Sequence, residues 1–314
     1  MRCFVAGATG VVGRPLVPRL VAAGHDVVAV ARDPGKADTL RAVGADPVAV
    51  DLFDPNGVRE ATRGCDAILH LATNVPPVST AGRPSSWDLH NRLRTEATAN
   101  LVAAAEANGV TRLVKESITF VYPDCGDEWI TEATPLGPST TALAPTLVGE
   151  DRALTFADRP GTTAVVLRFG LFYGGAANRG TDEMLRLARW RMSTISGPSA
   201  SYMSSVHADD AATATLAALE APTGIYNVVD DEPLRRGDHL AAVAAAYGLG
   251  KLRPLPTWML RAVAGRSARA LVASQRVSNR HFRELTGWWT EYPSAREGWA
   301  HEAARGTERE EHHA

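Results

Sequence analysis

The chain opens with short apolar runs separated by a longer amphipathic segment. Residues 1–6 read MRCFVA, and the stretch after the turn that follows places Leu16, Leu20 and Val21 at helical spacing. Residues 25–32, HDVVAVAR, form a second apolar run whose contiguous β-branched residues fit a strand buried on both faces of a parallel sheet. The pattern therefore predicts strand, turn, helix and strand within about thirty residues, the length of a βαβ unit.

Later segments repeat the apolar strand pattern. VAVDLFD at 48–54 and CDAILHLAT at 65–73 each predict a strand with a polar or small residue at its carboxyl end, and RLVKESITFVY at 112–122 predicts a fifth strand. Further along, the alanine-rich segment that follows residue 207 predicts a helix, and IYNVV at 225–229 predicts another strand.

Composition narrows the class of protein. With 314 residues, 45% of them apolar, the chain can bury a core that fills one large domain or two modest ones. The formal charge of −2 and scattered arginines provide no basic surface for nucleic acid, so we expect none as a partner. No apolar run approaches the roughly 18 residues of a membrane helix, and we expect no membrane association.

Cysteine usage and the two chain ends predict a cytoplasmic protein. Cys3, Cys65 and Cys125 are widely spaced and lack a CxxC motif, which predicts neither a disulfide framework nor a metal site. The first residues enter an apparent strand at once, which leaves no room for a signal peptide. Residues 304–314 are polar and charged, and we expect a disordered tail there.

The glycine-rich turn GATGVVG at 7–13 lies between the first strand and the first helix. Gly7 suits a tight turn, Gly10 the close approach of a pyrophosphate, and Gly13 the packing of helix on sheet. Free N–H groups and the positive dipole end at a helix start hold phosphates. The turn therefore predicts a dinucleotide site formed by Gly7, Ala8, Thr9, Gly10, Val11, Val12 and Gly13. A merely tight turn is the alternative.

The residue that ends the second strand bears on which dinucleotide binds. Arg32 stands where NAD-specific proteins of this kind place an acid for the ribose hydroxyls, and an arginine there suits a 2′-phosphate. The pattern therefore favours NADP, although Asp33 follows at once and keeps NAD possible. We expect Asp51 and Leu52 to flank the adenine, and Leu71, Ala72 and Thr73 to line the path of the cofactor, unless these strands simply end there.

These segments together resemble the extended or atypical short-chain dehydrogenase/reductase superfamily, in its NAD(P)-dependent epimerase/dehydratase branch. The matching pieces, in family order over residues 1–300, are GATGVVG at 7–13, DLFD at 51–54, HLAT at 70–73, TANLVAAAEANGVTRLV at 98–114, VYP at 121–123, LRFGLFYGG at 167–175, SSVHADDAATA at 204–214, GIYNVVDDEP at 224–233 and GWWTEYPSAREGW at 287–299.

The resemblance implies an α/β fold, a doubly wound parallel Rossmann sheet of about seven strands with a smaller substrate domain. It assigns 1–173 and 205–230 to the NAD(P)-binding domain, and 174–204 and 231–303 to the substrate domain. A homodimer is expected from the resemblance alone.

Acid/base chemistry in that family depends on a helix with Tyr-x-x-x-Lys and on a hydroxyl residue at the end of the fifth strand. Alignment on Glu150 places Ala142 at the tyrosine and Thr146 at the lysine, and alignment on VYP places Ile118 at the hydroxyl position. Pro145 cannot donate the helical hydrogen bond, so the helix should start a turn late or be distorted there. The usual general acid is therefore missing.

The fifth strand carries the candidate replacements. Lys115 and Glu116 stand side by side near its carboxyl end, which faces the ligand crevice in open α/β sheets. A buried carboxyl or ammonium group there would have a shifted pKa and would act near neutral pH. Ser117 and Thr119 can hydrogen-bond a substrate, and Tyr122 is the nearest phenol. The alternative is a structural ion pair for the two charged residues and packing for Tyr122.

Other polar residues have structural interpretations. His207, Asp209 and Asp210 match a helix start, where such residues cap and complement the dipole. We expect Tyr173 and Tyr202 to form pocket walls. Arg168 and Arg179 are candidates for binding an acidic group of the substrate, with an ordinary ion pair as the alternative.

The leading functional hypothesis is an NADP(H)-dependent oxidoreductase acting on a small organic molecule, either on a substrate that needs no proton donor or with a donor placed elsewhere. Two alternatives are a non-redox lyase, isomerase or cyclase, and a regulator that binds the cofactor without catalysis. An enzyme should have a closed apolar cavity beside the nicotinamide position, and a regulator an exposed apolar patch.

Overall fold

The computed structural model describes residues 1–77, 80–81, 83–137, 143–175, 178–255 and 272–311, with side chains as far as residue 306. A sheet of seven strands crosses this part of the chain. Its strands are β1 (Arg2–Ala6), β2 (Asp26–Val30), β3 (Asp46–Val48), β4 (Ala67–His70), β5 (Arg112–Ile118), β7 (Thr163–Phe169) and β12 (Gly224–Val228).

Every neighbouring pair in this sheet is parallel, and the spatial order is β12-β7-β5-β4-β1-β2-β3. The chain moves outward from β1 to β3, returns to β4 and continues to the other edge. This order confirms the predicted doubly wound Rossmann sheet. It also places the carboxyl ends of β1 and β4 next to each other, where open α/β sheets bind ligands.

The described helices either cover the two faces of the sheet or pack in a separate apolar core. They are α1 (Gly13–Ala22), α2 (Pro34–Ala42), α3 (Pro55–Ala61), α4 (Asp88–Arg92), α5 (Thr98–Asn108), α6 (Ala144–Leu154), α7 (Arg179–Ala188), α8 (Ala208–Ala217), α9 (Arg236–Ala246), α10 (Arg280–Thr286) and α11 (Ala295–Glu311). One apolar core lies between the sheet and α1 and α8, and a second lies between the sheet and α3, α5 and α6. Strand side chains alternate between these two cores, which is why the strands read as continuous apolar runs.

The other strands are short and pair in twos. They are β6 (Trp129–Ile130) with β15 (Arg276–Val277), β8 (Leu171–Tyr173) with β11 (Ser205–His207), β9 (Met192–Ser193) with β14 (Arg253–Pro254), and β10 (Tyr202–Met203) with β13 (Leu234–Arg235). A third apolar core joins α7, α9 and α11 around the buried Trp299. This third core draws on residues assigned above to the substrate domain, whose boundaries remain a prediction.

A π-helical turn, Leu93–Ala97, joins α4 to α5. Such turns insert a residue into the helical register and occur often at functional sites. Here the turn directs the side chain of Arg94 toward the sheet, where only 1% of the residue is exposed.

Helix α6 begins at Ala144, with Pro145 in its first turn. Proline fits this position because the first N–H groups of a helix have no intrahelical acceptor. Whether this helix starts a turn later than in the family, or is distorted, stays a prediction, and Ala142 lies outside the described residues.

The last helix extends further than the sequence suggests. Helix α11 runs to Glu311, so the disordered tail predicted from residue 304 is wrong over 304–311. Three contacts hold the part of this helix around residues 302–305 against α8 and its start. Glu302 lies 3.2 Å from Nε2 of the buried His207, and Arg305 lies 3.6 Å from Glu302 and 3.8 Å from Asp209.

Candidate cofactor site and active site

The glycine loop is shaped by its lack of side chains. Gly7 has φ +91°, and a Cβ there would lie 2.6 Å from the carbonyl carbon and oxygen of Leu71. A Cβ on Gly13 would overlap the carbonyl oxygen of Gly7 and the backbone of Ala8. Both positions therefore require glycine, one for the turn and one for the approach of α1 to the strand.

The loop presents backbone rather than side chains to a ligand. Ala8 and Val12 are buried in the core below, whereas Gly10 is exposed and Thr9 and Val11 are half-buried. Helix α1 has no side-chain cap at its start, and although the N–H of Arg14 donates to the carbonyl of Gly10 (3.1 Å), the N–H groups of 11–13 have no described acceptor and stay available to an anion. A cradle of free N–H groups with no Cβ at Gly10 fits a dinucleotide pyrophosphate.

Arg32 and Asp33, which follow β2, differ in their contacts. The Asp33 carboxylate accepts a hydrogen bond from the N–H of Lys36 (2.9 Å) and caps α2. Arg32 is exposed, and no described residue forms an ion pair with it. The structure thus commits Asp33 to a helix start and leaves the guanidinium of Arg32 open.

The residues that follow β4 lie beside the glycine loop. The N–H of Leu71 donates to the carbonyl of Ala6 (2.8 Å), which holds the chain after β4 against the glycine loop. Ala72 is half-buried and Thr73 is exposed. The structure therefore brings Leu71 and Ala72 to the backbone of Gly7.

Asp51 and Leu52 lie on the segment that joins β3 to α3. The Asp51 carboxylate accepts from the N–H of Phe53 (3.0 Å), and Leu52 is buried, its carbonyl accepting from the amide of Asn100 (2.9 Å). Their contact with adenine remains a prediction.

All five candidate catalytic residues on and after β5 are buried, with at most 3% of each residue exposed. Glu116 forms an ion pair with Arg94, which donates to its side chain (3.0 Å) and to its carbonyl (2.9 Å). This is the structural ion pair that was the alternative for Glu116. Sequence reasoning missed Arg94, because its inward direction comes from the π-helical turn.

Within the described part of the chain, Lys115 has no such ion-pair partner. Its ammonium makes one long contact, 3.4 Å to the carbonyl of Glu116. Burial, together with the positive charge of Arg94, lowers the pKa of Lys115 to about 7. Lys115 pairs in register with His70 on β4, and burial followed by the charge of Lys115 holds the pKa of His70 well below its ordinary value. Lys115 is thus a buried amine that titrates near neutral pH.

A buried polar network ties α6 to the sheet. Arg168 on β7 donates twice to the Glu150 carboxylate (2.9 and 2.6 Å), and the hydroxyl of Ser117 donates to the same carboxylate. Arg168 also donates to the hydroxyl of Tyr122 (2.9 Å), which in turn donates to Asn227 (2.9 Å). Burial raises the pKa of Tyr122.

The hydrogen bonds of this network indicate structural roles for Tyr122 and Arg168. Tyr122 is fully engaged in packing and hydrogen bonding, as its structural alternative describes. Arg168 was a candidate for binding an acidic substrate, and that prediction is corrected because its guanidinium is already occupied by Glu150. Glu150 itself had served only to align the sequence.

One hydroxyl group just after β5 has no hydrogen-bond partner among the described residues. Thr119 is buried, and its Oγ1 has no hydrogen-bond partner among the described residues. Ile118 ends β5, and Thr146 is buried in the first turn of α6. The described part of α6 contains neither tyrosine nor lysine.

The other polar candidates have structural tasks. His207 Nδ1 accepts from the N–H of Asp209 (3.2 Å) and caps α8. The Asp210 carboxylate accepts from the N–H groups of Glu291 (2.7 Å) and Tyr292 (3.1 Å), and burial raises its pKa to about 6. Within the described ranges no three His, Cys, Asp or Glu residues are grouped as a metal site would require.

Tyr173 and Tyr202, the two residues expected to form pocket walls, differ in their surroundings. Tyr173, 2% exposed, belongs to the third apolar core, so the wall predicted there is corrected. Tyr202 does line a cleft, together with Trp129 and Arg276. Arg179 is exposed at the start of α7. Among the described helices, none combines the length and apolar character needed to span a bilayer.

Comparison with known proteins agrees with this geometry. The family model described as the NAD dependent epimerase/dehydratase family matches residues 3–228. The chain is 34% identical over 309 residues to the 3-diazoavenalumate denitrifying reductase of a Streptomyces species, covering 95% of this chain and 99% of that protein.

Two other similarities are weaker in sequence. The 2-alkyl-3-oxoalkanoate reductase of Shewanella oneidensis is 29% identical over 265 residues, covering 78% of this chain and 66% of that protein. Among solved structures, the human epimerase family protein SDR39U1 with NADPH has a TM-score of 0.79 at 24% identity, covering 97% of this chain and 99% of that one. The latter shows the shared fold.

Proposed function

Because the chain belongs to the NAD dependent epimerase/dehydratase family, we propose that it is an NADP(H)-dependent oxidoreductase that reduces a small molecule without a tyrosine general acid. Two relatives named as reductases, each covering more than three quarters of the chain, favour reduction over the non-redox and regulatory alternatives. The glycine loop supplies the phosphate cradle. Exposed Arg32 would pair with a 2′-phosphate, since Asp33 is committed to capping α2.

The proposal that the usual general acid is missing rests on the position of Thr146. It is 2% exposed in the first turn of α6, where the family resemblance calls for the lysine. A threonine hydroxyl does not titrate near neutral pH, so it cannot lower the pKa of a phenol as an ammonium does. A substrate that accepts hydride alone fits this helix better than a ketone, which needs a proton as well.

We therefore propose a diazo compound, in its diazonium form, as the substrate class. The relative with 34% identity is named for reduction of a diazo acid with loss of nitrogen. When bound, NADPH supplies a hydride, and a diazonium cation plus hydride gives the C–H product and N₂ with charge balanced and no proton consumed. The chain has to hold the cation and exclude water, and it does not have to deliver a proton.

Reduction of a 3-oxo acid is the second candidate. It is supported by the relative with 29% identity and by Lys115, a buried amine whose pKa is lowered to about 7. A ketone takes up hydride at carbon and a proton at oxygen, and Lys115 is the group in this region that titrates at the required pH.

One isotope experiment separates the two candidates. Purified protein is incubated with 4-carboxybenzenediazonium or with a 2-alkyl-3-oxoalkanoate, each with (4R)- or (4S)-[4-²H]NADPH. We expect deuterated benzoate and one N₂ per NADPH oxidised, with deuterium transferred from only one of the two labelled cofactors. That stereospecificity excludes direct chemical reduction by free NADPH, which an enzyme-free sample measures.

Two results would overturn the proposal. Stereospecific deuteration of the oxo acid with no enzyme-dependent N₂ release would establish the ketone reaction instead. Tight NADPH binding without oxidation by either substrate would favour the non-redox or regulatory alternatives.

A further inference from the structure

A stack of arginines and aromatic rings lies at the β6/β15 pair, away from the glycine loop. The guanidinium carbon of Arg276 is 4.1 Å from the ring centre of Trp129 and 5.0 Å from that of Tyr202. The guanidinium of Arg235 is 4.4 Å from the Tyr202 ring. The two rings hold the guanidinium of Arg276 by cation–π contact and restrict the access of water to it.

Arg276 differs from its neighbours in that it forms no ion pair with any residue that the structure describes, although its charge is among those that lower the pKa of Asp127. Arg235 donates to both carboxylate oxygens of Asp127 (3.2 and 2.9 Å), and Arg296 pairs with Glu232 (2.9 Å). The Nε of Arg276 is buried without a hydrogen-bond partner, and no described residue forms an ion pair with Arg276. Buried donors of charged groups are normally satisfied, so the N–H edge of Arg276 indicates a ligand or an ordered water.

The stack borders a cleft of about 210 Å³. Besides the stack residues, its lining comes from 231–234, Asp238 and Arg296, and it includes no residue of the glycine loop or of the ends of β1 and β4. The volume suits a molecule with a single ring. The cleft is therefore a second site, separate from the proposed cofactor site.

The carboxylates near the cleft do not neutralise Arg276. Asp231 pairs with Arg283 (2.8 Å), while Glu232 and Asp127 have the arginine partners named above. Asp238 is exposed, where water screens its charge.

We propose that this cleft binds an organic carboxylate with a planar unsaturated body. The N–H edge of Arg276 binds the carboxylate, a geometry that arginine supports with two parallel hydrogen bonds. The Trp129 ring, 48% exposed, packs against the planar body. The proposal rests on the contacts of Arg276 and is independent of the reaction proposed above.

Calorimetric titration of the full chain tests it, with benzoate, cyclohexanecarboxylate and inorganic phosphate at one fixed ionic strength. We expect saturable benzoate binding that weakens at least tenfold in Arg276→Gln, because a hydrogen bond to a charged group is lost. Arg280→Gln is the matched control, since it removes the same charge from an exposed arginine that pairs with Glu284 (2.6 Å). Thermal melting of each variant checks folding.

A second variant tests the role of the ring. Trp129→Leu should weaken benzoate binding more than cyclohexanecarboxylate binding. The proposal is overturned if benzoate does not saturate the wild-type protein, if Arg276→Gln binds it as tightly, or if phosphate binds as well as benzoate, which would indicate an unspecific anion site. Should Arg276→Gln fail to fold, loss of benzoate selectivity in Trp129→Leu decides the question.

Discussion

At the scale of single residues, the proposed preference for NADP over NAD rests on two neighbouring residues with different environments. Asp33 would be the acid of an NAD site, yet its carboxylate caps α2, whereas Arg32 is exposed without a described ion-pair partner. One residue is occupied by local structure and the other is free for a ligand. From the sequence alone, either residue could select the cofactor. The hydrogen bond that Asp33 accepts from Lys36 distinguishes it from Arg32.

Replacing Arg32 tests this assignment. Arg32→Gln should weaken NADPH binding about tenfold or more and leave NADH binding nearly unchanged, because only NADPH carries the 2′-phosphate. Fluorescence titration with both cofactors measures the two constants. Arg41→Gln, which removes an exposed arginine paired with Asp38 on α2, serves as control. An equal loss for both cofactors would contradict a 2′-phosphate contact.

Lys115 should make stability depend on pH. Its pKa is about 7 in the folded chain and near 10.4 when unfolded, so the unfolded state binds more protons between these values and stability rises with pH across that window. Each unit of the difference corresponds to about 1.4 kcal/mol. The cost is complete below pH 7 and disappears above pH 10.

Lys115→Met should remove this dependence. We expect the variant to exceed the wild-type protein in free energy of unfolding at pH 6.5, with the difference shrinking as the pH approaches 10. Urea unfolding at several pH values measures both curves. Parallel curves would show that Lys115 stays charged in the folded chain at all of these pH values, so that its pKa is not lowered.

At the scale of elements, two features position the proposed site, and the first is the glycine loop. A Cβ on Gly10 would lie 3.2 Å from the carbonyl of Gly7, close but without overlap, and in the proposed complex the pyrophosphate approaches the backbone at this residue. Gly10→Ala should therefore weaken NADPH binding at least tenfold while changing the melting temperature by only a few degrees. Gly306→Ala, where a Cβ meets nothing, is the control. Unchanged affinity would place the phosphates elsewhere.

The second feature is the network that holds α6. Arg168→Met leaves Glu150 buried without its partner, and breaking a buried ion pair in this way costs about 3–5 kcal/mol. Arg168→Met combined with Glu150→Met should recover most of that loss, because replacement of both charges leaves no unpaired ion. Urea unfolding of both variants and of Arg280→Met, which breaks an exposed pair, measures the difference. A double variant no more stable than the single one would show that the packing, rather than the charge, matters.

At the scale of the whole molecule, a cofactor that crosses several strand ends should stabilise the entire sheet. At a concentration 100 times its Kd, NADPH adds about 2.7 kcal/mol to the free energy of unfolding. We expect NADPH to raise the melting temperature of the wild-type protein and to have little effect on Gly10→Ala. A shift of equal size in that variant would indicate binding outside the glycine loop. Assembly into a homodimer is still a prediction.

The sequence by itself determined the sheet and the loop. Apolar runs of strand length, amphipathic segments between them and glycines at 7, 10 and 13 are local patterns, and local patterns fix strand, turn and helix in chain order. Pro145 lies in the first turn of α6, a position where its missing N–H is tolerated.

Only the tertiary structure decided what the polar side chains do. Glu116 meets Arg94 across 22 residues of chain, and Tyr122 meets Arg168 and Asn227 across 46 and 105. Such partners are chosen by burial, because a charge in a low-dielectric interior requires a counter-charge wherever the fold provides one. Sequence spacing does not contain those distances, so Arg94 and the open edge of Arg276 became visible only in the folded chain.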